Sequence, residues 1–118
     1  MKEREFNSKI AVMVTRDGMG HAPQELSHTL IKNYFTLLKS ENRIPAYICF
    51  YGDGVKLVCE GSHVTEEIKQ LEESGAKIII CKTCLVFNNL LDKVATGTVG
   101  TMADIIDVQY NSTKVINL

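Results

Sequence analysis

The chain lacks most of the features that declare a function outright. No apolar stretch in its 118 residues approaches the roughly 20 needed to span a bilayer. Neither sign of charge dominates: 13 Lys and Arg stand against 14 Asp and Glu, and they are scattered. That balance excludes the basic footprint expected for nucleic acid or an anionic membrane surface. Four cysteines are too sparse for a disulfide scaffold. The opening Met1-Lys2-Glu3-Arg4-Glu5 is charged and leads directly into a strand pattern, so no secretory leader is expected. These absences together predict a soluble cytoplasmic chain whose cysteines are thiols. No repeat, low-complexity segment or linker interrupts it. The reading is a single domain over residues 1–118, with 1–8 as a flexible N-terminal segment.

What is present is 45% hydrophobic sequence arranged in alternating strand and helix patterns. Lys9 to Thr15 is a nearly continuous apolar run, as in a strand buried on both faces. Pro23 suits the first turn of a helix. From there Leu26, Leu30, Tyr34, Leu37 and Leu38 recur at helical spacing, with Ile31 and Phe35 widening the stripe. A second strand spans Ala46 to Tyr51, stopped by Gly52-Asp53-Gly54. Val55 to Cys59 fits a short helix or an extended turn. A polar helix starts near Ser62, presents Val64, Ile68 and Leu71, and stops at Gly75. The third strand is Ala76 to Ile80, followed by Cys81-Lys82-Thr83-Cys84. A short helix over Leu85 to Lys93 comes next, then an extended piece around Val99. A helix from Thr101 to Val108 follows, with Met102, Ile105 and Ile106 inward, and a last strand covers Lys114 to Leu118. This alternation predicts an α/β fold with parallel strands joined by right-handed crossovers.

Parallel strands gather three loops on their carboxyl edge, where ligands and chemistry collect in such folds. The loops are Arg16 to Ala22, the Gly52-Asp53-Gly54 turn, and Cys81 to Cys84. A helix beginning after Cys81 would aim its N-terminal dipole at that thiol and favour the thiolate, the nucleophilic form. Cys81 is therefore the candidate nucleophile and Cys84 its companion. The competing reading is that both are small buried hydrophobes, Cys84 above all. Cys-x-x-Cys also occurs in zinc sites, but no second Cys-x-x-Cys or histidine pair supplies further ligands, so no metal is expected. Cys49 and Cys59 read as packing. Asp17, Gly18, Gly20 and His21, with Gly52 and Gly54, are candidate binding positions. Their backbone amides suit an anion, and His21 suits an acid, a base or a thiolate partner. The glycine loop lacks both the dinucleotide fingerprint and the phosphate-loop Gly-Lys-Ser/Thr. His28 and His63 read as solvated.

One resemblance gathers these segments. Arg16-Asp17-Gly18-Met19-Gly20, Tyr51-Gly52-Asp53-Gly54-Val55-Lys56-Leu57, Glu60-Gly61-Ser62 and Cys81-Lys82-Thr83-Cys84-Leu85 occur in the order seen in the DsrE-like sulfur-relay family. The set most resembles the C-terminal domain of YedF-type, sulfurtransferase-like selenium-metabolism proteins. The likeness runs from about Lys9 to Leu118. It implies a three-layer α/β/α sandwich around a five-stranded, mainly parallel sheet. It also implies a cytoplasmic homo-oligomer, trimer or hexamer, with a sulfur-carrier protein as donor or acceptor and no cofactor. In such relays a cysteine at the end of the third strand accepts sulfane sulfur as a persulfide and passes it on. Cys81 matches that position, and Cys84 matches the second cysteine of the selenium-associated subgroup. The rival functions for the same residues are a dithiol–disulfide oxidoreductase using Cys81 and Cys84, and a non-catalytic oligomeric binding module. Where many relatives carry glycine, eight residues after the reactive cysteine, this chain has Asn89, a residue that tolerates positive φ.

Overall fold

The computed structural model describes residues 9–118; the expectation for residues 1–8 lies outside them. Five strands form one sheet: β1 (Ile10–Val14), β2 (Tyr47–Phe50), β3 (Lys77–Cys81), β4 (Thr98–Gly100) and β5 (Lys114–Asn117). Four α-helices accompany them: α1 (Gln24–Ser40), α2 (Thr65–Glu73), α3 (Lys82–Phe87) and α4 (Met102–Asn111). Short 3-10 segments cover Gly52–Val58 and Leu91–Lys93. The strand order is β4-β3-β2-β1-β5, and every pairing is parallel.

That order fixes the layers. Three successive steps in one direction put α1, α2 and α3 on one face through right-handed crossovers. The long return from β4 to β5 carries α4 to the other face. Alternation along β1 agrees with this: Ile10 and Val12 border a groove with Tyr34 and Leu37 of α1, whereas Met13 meets the Gln109 side chain of α4. The β-branched and aliphatic runs of β1, β2 and β3 are buried on both faces and form the core.

The fold corrects the α1 stripe. Ile31 and Phe35 are buried, whereas Leu26, Leu30 and Leu37 face outward, Leu37 at 53% exposure. The apolar residues of α1 cover more than one face, so periodicity alone selected the wrong centre for the stripe. Similarly, Ile105 and Val108 anchor α4 while Met102 and Ile106 point outward. A capping box starts α4: the Thr101 hydroxyl accepts from the Asp104 N–H, and the Asp104 carboxylate accepts from the Thr101 N–H. Ser62 does not cap α2, which begins later; its hydroxyl accepts from the Val64 N–H at 3.2 Å.

Three helices end alike. The residue after the cap turns left-handed at Asn42 (φ 56°), Gly75 (φ 118°) and Asn89 (φ 57°). In each case the next two N–H groups bond back into the last turn, as Asn89 to Val86 and Leu90 to Leu85 do after α3. Asn89 thus takes over the glycine's role, and its turn splits the expected Leu85–Lys93 helix into α3 and a 3-10 segment. Because Phe35 is buried against Phe50 and Leu37 is not, Phe35→Ala should cost roughly 3–5 kcal/mol. Leu37→Ala should change stability by less than about 0.5 kcal/mol in the isolated chain. Urea unfolding of both variants checks this; equal losses would contradict the observed facing of α1.

Candidate functional site

Cys81 is both the last residue of β3 and the N-cap of α3, so the polypeptide passes from strand to helix without a loop. Cys84 is the third residue of that helix. One turn of helix brings it beside Cys81 at the carboxyl edge of the sheet, close enough for the Cys81 thiol to raise its pKa. None of the four cysteines is in a disulfide.

Their accessibility reverses the expectation. Cys81 is 2% exposed and packs into the core, whereas Cys84 is partly open to solvent. The reason is geometric: Cys81 still obeys the strand, whose neighbours cover it, and only the helix turn lifts Cys84 outward. Nor does a strong helix field ionise Cys84. α3 has only six residues. The Cys84 thiol is pushed above its ordinary pKa, first by loss of hydration; the adjacent Cys81 and the Asp53 carboxylate push the same way. The Gly52 N–H opposes them, donating to Cys84 Sγ at 3.1 Å.

That donor is placed by the second loop. Tyr51 N–H bonds to the Val14 carbonyl at 3.1 Å, and Gly54 N–H closes the turn onto Tyr51. Gly52 sits at φ 59°, in the left-handed region, where an added Cβ would lie 3.0 Å from the Thr15 carbonyl oxygen. A Cβ on Gly54 would collide with the Val14 carbonyl oxygen. Both glycines are thus needed by the backbone beneath them, and the turn presents Gly52 N–H to sulfur. Asp53, paired with Lys56 at 3.4 Å, is the residue that sequence reasoning missed. Its position inside the Gly-Asp-Gly turn was the available signal.

The first loop behaves differently. His21 Nδ1 lies 2.7 Å from an Arg16 guanidinium nitrogen, which can only donate. The ring nitrogen accepts from Arg16, and the side chain is engaged there rather than with a thiol. Asp17 lies 3.6 Å from His28 Nε2, and His28 stacks on His63 with centroids 4.2 Å apart. His63 Nε2 also lies 3.1 Å from the His28 carbonyl, so these two histidines clasp α1 to the segment before α2 and are not simply solvated. Gly18 is packed against Ser27, and Met19 N–H is spent on the Ser27 carbonyl. Gly20 turns through φ 79° in open space. Among the described residues, Asp17 and His21 make their side-chain contacts with His28 and Arg16 respectively.

Cys49 and Cys59 are buried packing, as expected: burial pushes the Cys49 thiol up to about 12, and the Cys59 thiol donates to the Val55 carbonyl at 3.2 Å. Among the described residues, no group of three His, Cys, Asp or Glu side chains could hold a metal ion, and no helix is long and apolar enough to cross a membrane.

Residues 3–118 match the profile of the DsrE/DsrF-like family. The chain belongs to that family, whose members are associated with sulfur relay. Solved structures give the same fold. Against the E. coli ychN protein the TM-score is 0.69 at 16% identity, covering 93% of this chain and 98% of that one. BT1422 of Bacteroides thetaiotaomicron, a protein of unknown function, gives 0.69 at 20% identity, with 95% and 96% covered. MTH1491 of Methanobacterium thermoautotrophicum, also of unknown function, gives 0.69 at 15%, with 92% and 97% covered. No curated protein matches.

Alkylation of the native protein should label Cys84 and spare Cys49, Cys59 and Cys81 until denaturant is added. The thiolate is the reacting form and the Cys84 pKa is raised, so the rate should keep climbing as pH rises through and beyond the usual thiol range. Peptide mapping against pH reads both; a Cys84 rate already level at neutral pH would contradict the site geometry.

Proposed function

We propose that this protein is a persulfide-carrying component of a sulfur relay, with Cys81 and Cys84 as its reactive pair. Membership of the DsrE/DsrF-like family supports the sulfur chemistry. The observation that carries the reading is the placing of two neighbouring free thiols at the carboxyl edge, with the Gly52 N–H directed at one sulfur. A preorganised backbone donor stabilises charge that develops on sulfur during transfer. It does so without titrating, so it serves a thiolate and a persulfide alike.

The chemistry needs no further group. A thiolate of the pair attacks the outer sulfur of a donor perthiol, R–S–SH. The donor S–S bond breaks, R–S⁻ leaves, and a cysteine persulfide remains on the protein. An acceptor thiolate then takes the outer sulfur by the same displacement, and the original thiolate is restored. The likeness to YedF-type proteins makes selenium metabolism the setting we propose, with a separate sulfur-carrier protein as donor or acceptor. Proximity of the two sulfurs also favours a second reading, dithiol–disulfide exchange, which requires both thiols where the carrier needs one.

The test is mass spectrometry after incubation with glutathione persulfide. The expected result is a gain of one sulfur atom that is released by a thiol reductant. No gain, while a known persulfide-accepting protein loads in parallel, would overturn the carrier reading.

We also propose that the chain works as a homo-oligomer, a trimer or hexamer. Met102, Ile106 and Tyr110 make an outward apolar stripe on α4, Tyr110 at 86% exposure, and they recur one turn apart. Ile106→Asp should leave α4 folded, since that side chain is outward, and should convert the assembly to monomers by light scattering. An unchanged mass would remove α4 from the interface.

A further inference from the structure

Resting on the carrier reading, we propose that Cys84, not Cys81, is the thiol that first accepts sulfur, and that Cys81 is the inner, resolving thiol. Three observations point the same way. First, displacement at a donor sulfur requires the attacking atom to reach it, and the donor arrives from solvent. Cys84 has exposed surface on α3, flanked by Thr83 and the 84% exposed Phe87, whereas Cys81 is sealed at 2%. Second, the Gly52 amide that the turn directs at sulfur is aimed at Cys84, at 3.1 Å. It cannot drift, because the left-handed φ of Gly52 and the close seat of Gly54 on Val14 fix the turn. Third, Cys81, the N-cap of α3, lies three residues before Cys84 on its buried side, the side from which a resolving thiol approaches the inner sulfur of a Cys84 persulfide.

The steps balance. In loading, Cys84–S⁻ and R–S–SH give Cys84–S–SH and R–S⁻. In delivery, an acceptor R′–S⁻ takes the outer sulfur, giving R′–S–SH and Cys84–S⁻. When no acceptor arrives, the Cys81 sulfur attacks the Cys84 sulfur and its proton passes to the departing outer sulfur. The Cys84–S–SH bond breaks, that sulfur leaves as H₂S, which ionises to hydrosulfide in solution, and a Cys81–Cys84 disulfide forms. A dithiol reductant then supplies two electrons and two protons, becomes a disulfide itself, and restores both thiols. Cys81 thereby limits how long the carried sulfur stays on the protein.

Glutathione persulfide is the probe, with wild type, Cys81→Ala and Cys84→Ser compared. Trypsin cleaves after Lys82, so the two cysteines fall on separate peptides and the added sulfur can be assigned after trapping with iodoacetamide. Cys81→Ala should load one sulfur on Cys84 and hold it. Wild type should load Cys84 first, then release hydrosulfide and accumulate the 81–84 disulfide. Cys84→Ser should lose loading. If Cys84→Ser loads at the wild-type rate, or trapped wild-type protein carries its first sulfur on Cys81, the order is overturned while the carrier reading stands. If wild type also fails to load, both fall. Early trapping of the unmutated protein assigns the sulfur even if a substitution disturbs folding.

Discussion

The site depends on a backbone meeting a backbone. Gly54 seats on the Val14 carbonyl at the end of β1, so closely that no side chain fits between them. This pins the turn after β2 across the end of the neighbouring strand. Only then does the Gly52 N–H face the first turn of α3, where the third strand delivers its thiols. Three strand ends, distant in sequence, are made into one surface by the parallel sheet and locked by a contact that tolerates nothing larger than hydrogen.

Two opposing effects meet on Cys84, and their balance is informative. Loss of hydration raises the thiol, and Cys81 and Asp53 add to it, while a single amide donor works against them. The donor loses in the resting protein. The balance alters once negative charge must be carried by sulfur, because the amide is already oriented and needs no rearrangement. A protonated resting thiol is also a slower target for stray electrophiles. The arrangement therefore favours a sulfur kept quiet until a donor docks over a thiol ionised only in small fraction.

Much of the architecture was legible from short-range signals. The β-branched runs at Lys9 to Thr15 and Lys77 to Ile80 became buried parallel strands, Gly75 ended α2, and Cys81 fell at a strand end. The ordered motifs pointed to the family that residues 3–118 match. What failed was orientation. Leu26, Leu30 and Leu37 share helical spacing with Ile31 and Phe35, and spacing cannot decide which arc of a broadly apolar helix meets the sheet. Likewise, the order Cys-Lys-Thr-Cys does not reveal whether the helix starts at the first cysteine or after the second. Starting at Cys81 exchanged the expected exposures of the two thiols. The His28–His63 stack joins residues 35 apart and had no local signature.

The two rims of the sheet carry a further consequence. β4 contributes three residues and β5 four, and β5 opens with the exposed Lys114 and ends at the exposed Asn117. A stray peptide pairing with either rim finds few rungs and, along β5, a charge to desolvate. Runaway fibril growth from the open flanks is thus discouraged by few rungs and, along β5, by charge. The sheet is left free to place its most apolar strands in the middle, where nothing foreign can reach them.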